Sequence, residues 1–169
     1  MKATIRFIVL LAAGGMLALG PAAQAQDPPP PITPKLTPRL HELLVAEMRA
    51  IRKAVDEIVE GMISGDNVRV AKNGDRIFDG FILRQSLSDK DRKDLEKAVP
   101  PEFFELDHEF HVMAMKLALA AANRDVDLQQ YFLGKMIAAC AECHGKYVND
   151  KFPLFQRRPG AAPAGGHGH

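Results

Sequence analysis

The chain has 169 residues, a length that fits one domain of ordinary size. Its 22 Lys and Arg residues nearly balance 21 Asp and Glu residues, and the formal net charge is +1. This balance argues against the basic surface of a nucleic-acid-binding protein, so no nucleic-acid partner is predicted.

The first 25 residues have the three parts of a secretory signal peptide. A basic start precedes an apolar run over residues 7–19, and a small-x-small sequence ends at Ala25. We predict cleavage after Ala25 and export to the periplasm. The apolar run is too short for a comfortable membrane span and no later segment supplies one, so no transmembrane segment is expected in the mature chain.

Both ends of the mature chain are predicted to flank the folded domain. Residues 26–37 include four consecutive prolines, which favour an extended linker because proline offers no backbone donor. Residues 153–169 are rich in Gly, Ala and Pro, a composition that indicates a flexible tail. His167 and His169 at its tip are interpreted as part of the tail, with weak metal contact as the alternative.

The first long helix is predicted from Pro38 to the turn at Gly65. Thr37 can cap its start, and glycine suits its C-terminal cap. Charged residues, Glu47 among them, are expected on the faces away from the core. Apolar residues recur at spacings of three and four, as expected for one buried stripe. They are Leu40, Leu44, Met48, Ile51, Val55, Ile58 and Met62.

A second helix is predicted from Asp66 to about Arg84. Gly74 and Gly80 fall inside it, and each weakens a helix by about 1 kcal/mol relative to Ala. Either they permit close approach of another helix or a cofactor, or this helix is irregular. Its expected inward residues are Val68, Ala71, Phe78 and Ile82. A capping pair, Ser88 and Asp91, then starts a short connecting helix to about Ala98.

Pro100 and Pro101 restart the chain for a third long helix, which Asn123 ends, and Asp125 caps a fourth. The third helix has an apolar stripe of Phe103, Leu106, Phe110, Met113, Leu117 and Ala120. The inner face of the fourth is expected to carry Leu128, Phe132, Met136, Ala139 and Cys143. Because no segment alternates with a period of two, we predict an all-α fold, an antiparallel four-helix bundle over residues 38–152.

The last helix carries the strongest chemical signal, Cys140-Ala141-Glu142-Cys143-His144. Two thiols three residues apart can form thioethers with the two vinyl groups of one haem, and the following histidine can bind the iron. A zinc ribbon would need a second ligand pair, and the chain has only these two cysteines. A redox dithiol needs no adjacent histidine and normally follows a strand. We predict one covalently attached haem c, with His144 as its proximal iron ligand.

An exported, all-helical chain with this motif in its last helix resembles the cytochrome c′ family, the class II cytochromes c. Class I cytochromes c place the motif near the N-terminus instead. The likeness covers about residues 36–150, and Tyr147 falls where the family usually has an aromatic residue. Val148 departs from the family, which often has a basic residue there; Lys146 and Lys151 are candidates to replace it. The resemblance implies redox partner proteins and, as a possibility, a homodimer.

The resemblance also implies that a residue of the first helix faces the distal side of the haem. That residue is apolar in high-spin members and a methionine ligand in low-spin members, and Met48 falls close to the position. Met48 also belongs to the apolar stripe, so both the ligand and the core interpretation stay open. Met/His ligation predicts a one-electron carrier, whereas five-coordinate iron predicts a protein that binds nitric oxide or carbon monoxide.

Two further histidines, His108 and His111, share a face of the third helix beside Phe110. They could bind a metal, or His111 could reach the haem edge; the alternative is that both are partly exposed polar residues. No nucleophile–base pair, phosphate loop or carboxylate dyad has a defensible spacing, so no catalytic residue and no enzymatic activity are predicted.

Overall fold

The computed structural model describes residues 29–156, and the predicted signal peptide lies outside this range. All regular structure within it is helical, which confirms the predicted all-α class. Six α-helices follow one another: α1 (Pro38–Ser64), α2 (Asn67–Asp79), α3 (Leu83–Ser86), α4 (Asp89–Ala98), α5 (Pro101–Ala122) and α6 (Val126–Tyr147). Two 3-10 turns, Thr33–Lys35 and Pro153–Gln156, flank them. Over residues 29–156, no helix combines the length and apolarity needed to cross a membrane.

The ends of α1 are set by the residues that the sequence indicated. The Thr37 side chain accepts a hydrogen bond from the Leu40 N–H at 3.2 Å, and Pro38 occupies the first turn. Gly65 closes the helix in the left-handed region with φ 74°, a conformation that costs glycine no steric strain. The predicted boundaries of α1 are therefore confirmed.

The second helix is shorter than predicted, and its buried face is different. It ends at Asp79 because Gly80 takes φ 72° as the C-terminal cap. Val68, predicted to face inward, is 79% exposed, whereas Val70 and Ile77 are fully buried. The buried face of α2 is the one that meets α1 and α5, a choice that tertiary packing makes rather than local periodicity.

Gly74 explains how closely α2 and α5 pack. A Cβ atom added there would lie 2.9 Å from the Ala114 carbonyl oxygen and 3.0 Å from the Ala118 Cβ atom. No real Cβ contact is that short, so only glycine allows this helix–helix distance. Of the explanations open for this glycine, close approach of another helix is correct.

Helix α2 packs against both α1 and α5, and α5 packs against α6. Gly61 of α1 lies beside Val70, while Glu47, earlier in α1, reaches the end of α2. The two helices therefore run in opposite directions. No packing of this extent joins α1 to α6 within residues 29–156. One core cluster contains Ile51, Ala54, Ile58, Val70, Ile77, Phe110, Ala114, Leu117, Ala121 and Met136.

A second cluster lies at the C-terminal end of α6 and includes part of the predicted linker. Ile32 is 1% exposed, and its N–H donates to the Tyr147 carbonyl at 2.8 Å. The segment before α1 is thus packed at this point rather than extended and solvated. Buried members of the second cluster are Ile32, Leu40, Leu95, Ala98, Val99, Phe103 and Tyr147.

Glu47 is buried, contrary to the expectation that it lies on a face away from the core. Only 2% of the residue is exposed, and its carboxylate accepts hydrogen bonds from the N–H groups of Phe81, Ile82 and Leu83. These donors lie between α2 and the first turn of α3, where no helical partner satisfies them. Glu47 therefore links the connection between α2 and α3 to α1.

Candidate functional site

The Cys140–His144 motif lies in the last two turns of α6, where the two core clusters meet. The Cys140 side chain packs against the first cluster and the Cys143 side chain against the second. Both are partly buried, and no disulfide joins them. Asp125 caps the start of this helix by accepting a hydrogen bond from the Leu128 N–H at 2.9 Å, so the helix that carries the motif begins at a defined residue.

Both thiols are held in their neutral form. Burial raises the pKa of Cys140. Burial, with the negative charge of Asp107 acting in the same direction, raises the pKa of Cys143 to about 12. Dithiol oxidoreductases depend on the opposite effect, a lowered pKa that favours the reactive thiolate. The electrostatics of this cysteine pair do not fit a redox dithiol.

His144 is also neutral and is held by an aromatic ring. Burial lowers the pKa of its imidazole, which favours the form that binds a metal. The imidazole lies face to face with the Phe152 ring, with 4.2 Å between the ring centroids and 5° between the planes. Such a stack covers a face of the imidazole and leaves its edge accessible, where the unprotonated nitrogen of the neutral ring has the in-plane lone pair that can bind a metal.

A protein-only metal centre finds no support in the described part of the chain. No group of three or more His, Cys, Asp or Glu side chains is arranged to hold an ion there. A zinc site needs about four such ligands. A haem brings the nitrogens of its macrocycle and asks the protein for only one or two axial ligands. This donor set fits a haem better than a bare metal ion.

Met48 lies on the side of α1 that faces away from α2. Val55 and Val59 follow it at spacings of seven and eleven residues and share this side, whereas Glu47 and Gly61 point toward α2. Met48 and Val59 are each 39% exposed. Met48 is therefore not one of the buried residues of the stripe, unlike Ile51 and Ile58.

A partly exposed apolar stripe on α6 leads to His144, and Leu133 within it packs against the first core cluster. Val126, Leu133 and Ile137 precede the histidine at spacings of seven, four and seven residues, so all four share one side of the helix. Val126 is 56% exposed and Ile137 is 51% exposed. Since α1 and α6 do not pack along each other, both helices keep apolar surface that a large apolar group could cover. This surface, with the neutral thiols and imidazole, fits a haem.

The two histidines of α5 do not form a metal site. His111 is 6% exposed, contrary to the partly exposed position expected for it. Its Nδ1 pairs with the Ile77 carbonyl oxygen, and its Nε2 lies 3.6 Å from Asp107. Burial opposes protonation, but the hydrogen bond and charge of Asp107, together with the Ile77 carbonyl, raise the pKa of His111. His108 is exposed.

Sequence reasoning missed Phe152, which it placed at the end of the domain without a role. The ring contacts His144 because a turn follows α6 and returns the chain over it. Val148 donates to the His144 carbonyl at 3.3 Å, and Lys151 donates to the Val148 carbonyl at 2.9 Å. No residue pattern before the turn indicates that an aromatic side chain eight positions later will meet the histidine.

Comparison with protein-family models, with curated proteins and with solved structures finds no match.

Proposed function

We propose that the chain is a periplasmic c-type cytochrome of the cytochrome c′ type that transfers single electrons through one haem. Cys140 and Cys143 hold the haem c by thioethers, and His144 is its proximal ligand. The observation that carries the proposal is the state of these three side chains. Cys140, Cys143 and His144 share one helix end, their side chains favour the neutral form, and no described residue covers the apolar surface beside them.

The fold that we propose for this function is an antiparallel four-helix bundle formed by α1, α2, α5 and α6, with α3 and α4 as the connection. The opposite directions of α1 and α2 support it. So does the contact between α2 and α5, in which Gly74 lies beside Ala118 while the later Ile77 lies beside the earlier His111. In this bundle the side between α1 and α6 receives the haem.

The chain's own residues have three tasks in this proposal. The two cysteines keep the group attached through cycles of oxidation and reduction, and His144 orients it. The apolar side chains on α1 and α6 exclude water, and burial of this kind is one of the means by which a protein tunes a reduction potential. The haem supplies the reversible one-electron couple of its iron.

Met48 determines which of two functions is proposed. Its partial exposure on the side of α1 away from α2 supports a thioether that can act as distal ligand, which favours the electron carrier. The alternative function is a five-coordinate haem protein that binds nitric oxide or carbon monoxide, and it requires that Met48 does not bind the iron. Met48 lies outside both core clusters, so core packing does not hold its side chain at one position, which supports this alternative. Redox proteins and a second copy of the chain are the partners that we propose from the resemblance.

The absorption spectrum of the holoprotein and of Met48→Ala tests the proposal. We expect a low-spin wild type that becomes high-spin, binds carbon monoxide and has a lower reduction potential in the variant, since the lost thioether favours ferrous iron. Val59→Ala is the matched control because this residue has the same 39% exposure on the same side of α1. A wild-type spectrum that is already high-spin would contradict the carrier and support gas binding.

A further inference from the structure

Phe152 stacks on His144 and belongs to neither core cluster. Its ring is parallel to the imidazole, and 40% of the residue is exposed. The neighbouring Phe155 lies 6.4 Å away, ring centroid to ring centroid, with the planes 64° apart. The stacked contact of Phe152 is therefore directed at the histidine rather than at the core of the protein.

The turn that carries Phe152 is fixed from the other end of the domain. The Asn149 side chain, 2% exposed, donates a hydrogen bond to the Pro29 carbonyl at 3.2 Å. The Thr33 hydroxyl donates to the Asp150 carboxylate at 3.0 Å. These contacts join the turn to the segment before α1, so the position of Phe152 is set by residues that are more than 100 positions away in sequence.

Within residues 29–156, no protein group gives the His144 imidazole the usual polar support. A metal-binding histidine commonly donates its second ring nitrogen to a carboxylate, a carbonyl or a water, and this contact fixes the plane of the ring. Among residues 29–156, the His144 imidazole stacks on Phe152 and makes no hydrogen bond or ion pair with a side chain or a carbonyl. A parallel ring at 4.2 Å resists rotation of the imidazole, because rotation would drive the imidazole edge into the phenyl face.

We propose that Phe152 is the positioning residue that fixes the plane of the His144 imidazole as the proximal ligand of the haem. The inference rests on the proposed function of His144. In this proposal the segment after α6 orients the histidine. In other metal-binding proteins a hydrogen-bond acceptor has this role. Phe152 does not contact the reacting iron and acts only through His144.

The test uses the full-length holoprotein and three variants: Phe152→Leu, Phe152→Tyr and Phe155→Leu. Leucine at position 152 keeps apolar bulk and removes the planar stack, whereas tyrosine keeps the stack. Phe155→Leu is the control, because it removes another exposed aromatic ring of the same segment, one that does not stack on His144. The readout is the proton NMR spectrum of the ferric protein, since the shifts of the haem methyl groups report the plane of the axial imidazole.

We expect Phe152→Leu to change the order of the haem methyl chemical shifts or to narrow the range that they span. Phe152→Tyr and Phe155→Leu should keep the wild-type pattern of these shifts. A wild-type pattern in Phe152→Leu would overturn the inference and leave the proposed function intact. The same change in Phe155→Leu, or no rescue by tyrosine, would overturn it as well, since the effect would then be general packing. A wild-type chain without covalent haem would overturn the proposed function first and the positioning role with it.

Discussion

Replacing Gly74 by Ala tests the close packing of α2 on α5 with a magnitude that the structure sets. The new Cβ would lie 2.9 Å from the Ala114 carbonyl oxygen and 3.1 Å from the Ala118 backbone nitrogen. Both obstacles are backbone atoms of α5, so the two helices must separate, and such overpacking costs about 1–3 kcal/mol. Alanine regains about 1 kcal/mol of helix propensity. After both effects we expect the free energy of unfolding to fall by up to about 2 kcal/mol.

Gly134→Ala is the matched control for this substitution. Gly134 lies within α6, and a Cβ added there would meet no atom within 4 Å. This variant should therefore gain about 1 kcal/mol from helix propensity alone. Urea unfolding followed by circular dichroism would compare the two proteins under identical conditions. If Gly74→Ala proves as stable as Gly134→Ala, the helices are not packed at the distance described and the reasoning fails.

Three further predictions concern buried polar groups. Glu47→Ala should lower the free energy of unfolding by about 2–4 kcal/mol, because three backbone N–H groups lose their acceptor; Glu47→Gln, which keeps an acceptor oxygen, should cost less in the same urea titration. The hydrogen bonds from Ser88 and Arg39 lower the pKa of Asp91 to about 2. The ionised carboxylate should therefore go on stabilising the fold in mild acid and lose this contribution as the pH falls toward 2. In melting temperatures measured over a pH series, Asp91→Asn should lack this loss. The pKa of His111 is raised, so the protonated imidazole should stabilise the fold at pH values below the ordinary pKa of histidine. This contribution should be lost as the pH rises through the pKa of His111 in the folded protein. An NMR titration should show this pKa fall in Asp107→Asn, despite the unfavourable charge of Arg84 on the protonated imidazole, and an unchanged value would contradict the role of Asp107.

Local signals predicted most helix ends correctly because each depends on a few adjacent residues. Thr37 and Asp125 accept hydrogen bonds from N–H groups three residues later, as their positions indicated. Ser88 and Asp91 form a reciprocal capping box. These contacts arise within one helical turn, so the sequence contains the information needed to place them.

The wrong predictions involve contacts between distant parts of the chain. Glu47 is buried because backbone donors 34–36 positions later converge on it, and a charged residue between apolar neighbours gives no sign of this. Val68 was placed inward and Leu128 on the inner face of α6, yet they are 79% and 45% exposed. In both helices the register of the buried face depends on the neighbouring helix rather than on spacing alone.

The candidate site also combines features that the sequence predicts with features that depend on tertiary packing. The positions of Cys140, Cys143 and His144 on one helix end follow from their spacing and from the Asp125 cap. The neutral state of the thiols, the exposed apolar side chains on α1 and α6 and the Phe152 stack depend on tertiary packing. The sequence could indicate the chemistry of the site but not the environment that tunes it.

The mass of the denatured, full-length protein shows whether haem is covalently attached to Cys140 and Cys143. The protein should be produced in cells that export it and attach c-type haem, then unfolded and measured intact. We expect the mass of the wild-type chain to be raised by one haem and to stay so after acid and organic extraction. The Cys140→Ala, Cys143→Ala double variant should show no such increase. A wild-type mass equal to that of the polypeptide alone, or haem released into the organic phase, would contradict covalent attachment and the proposed function.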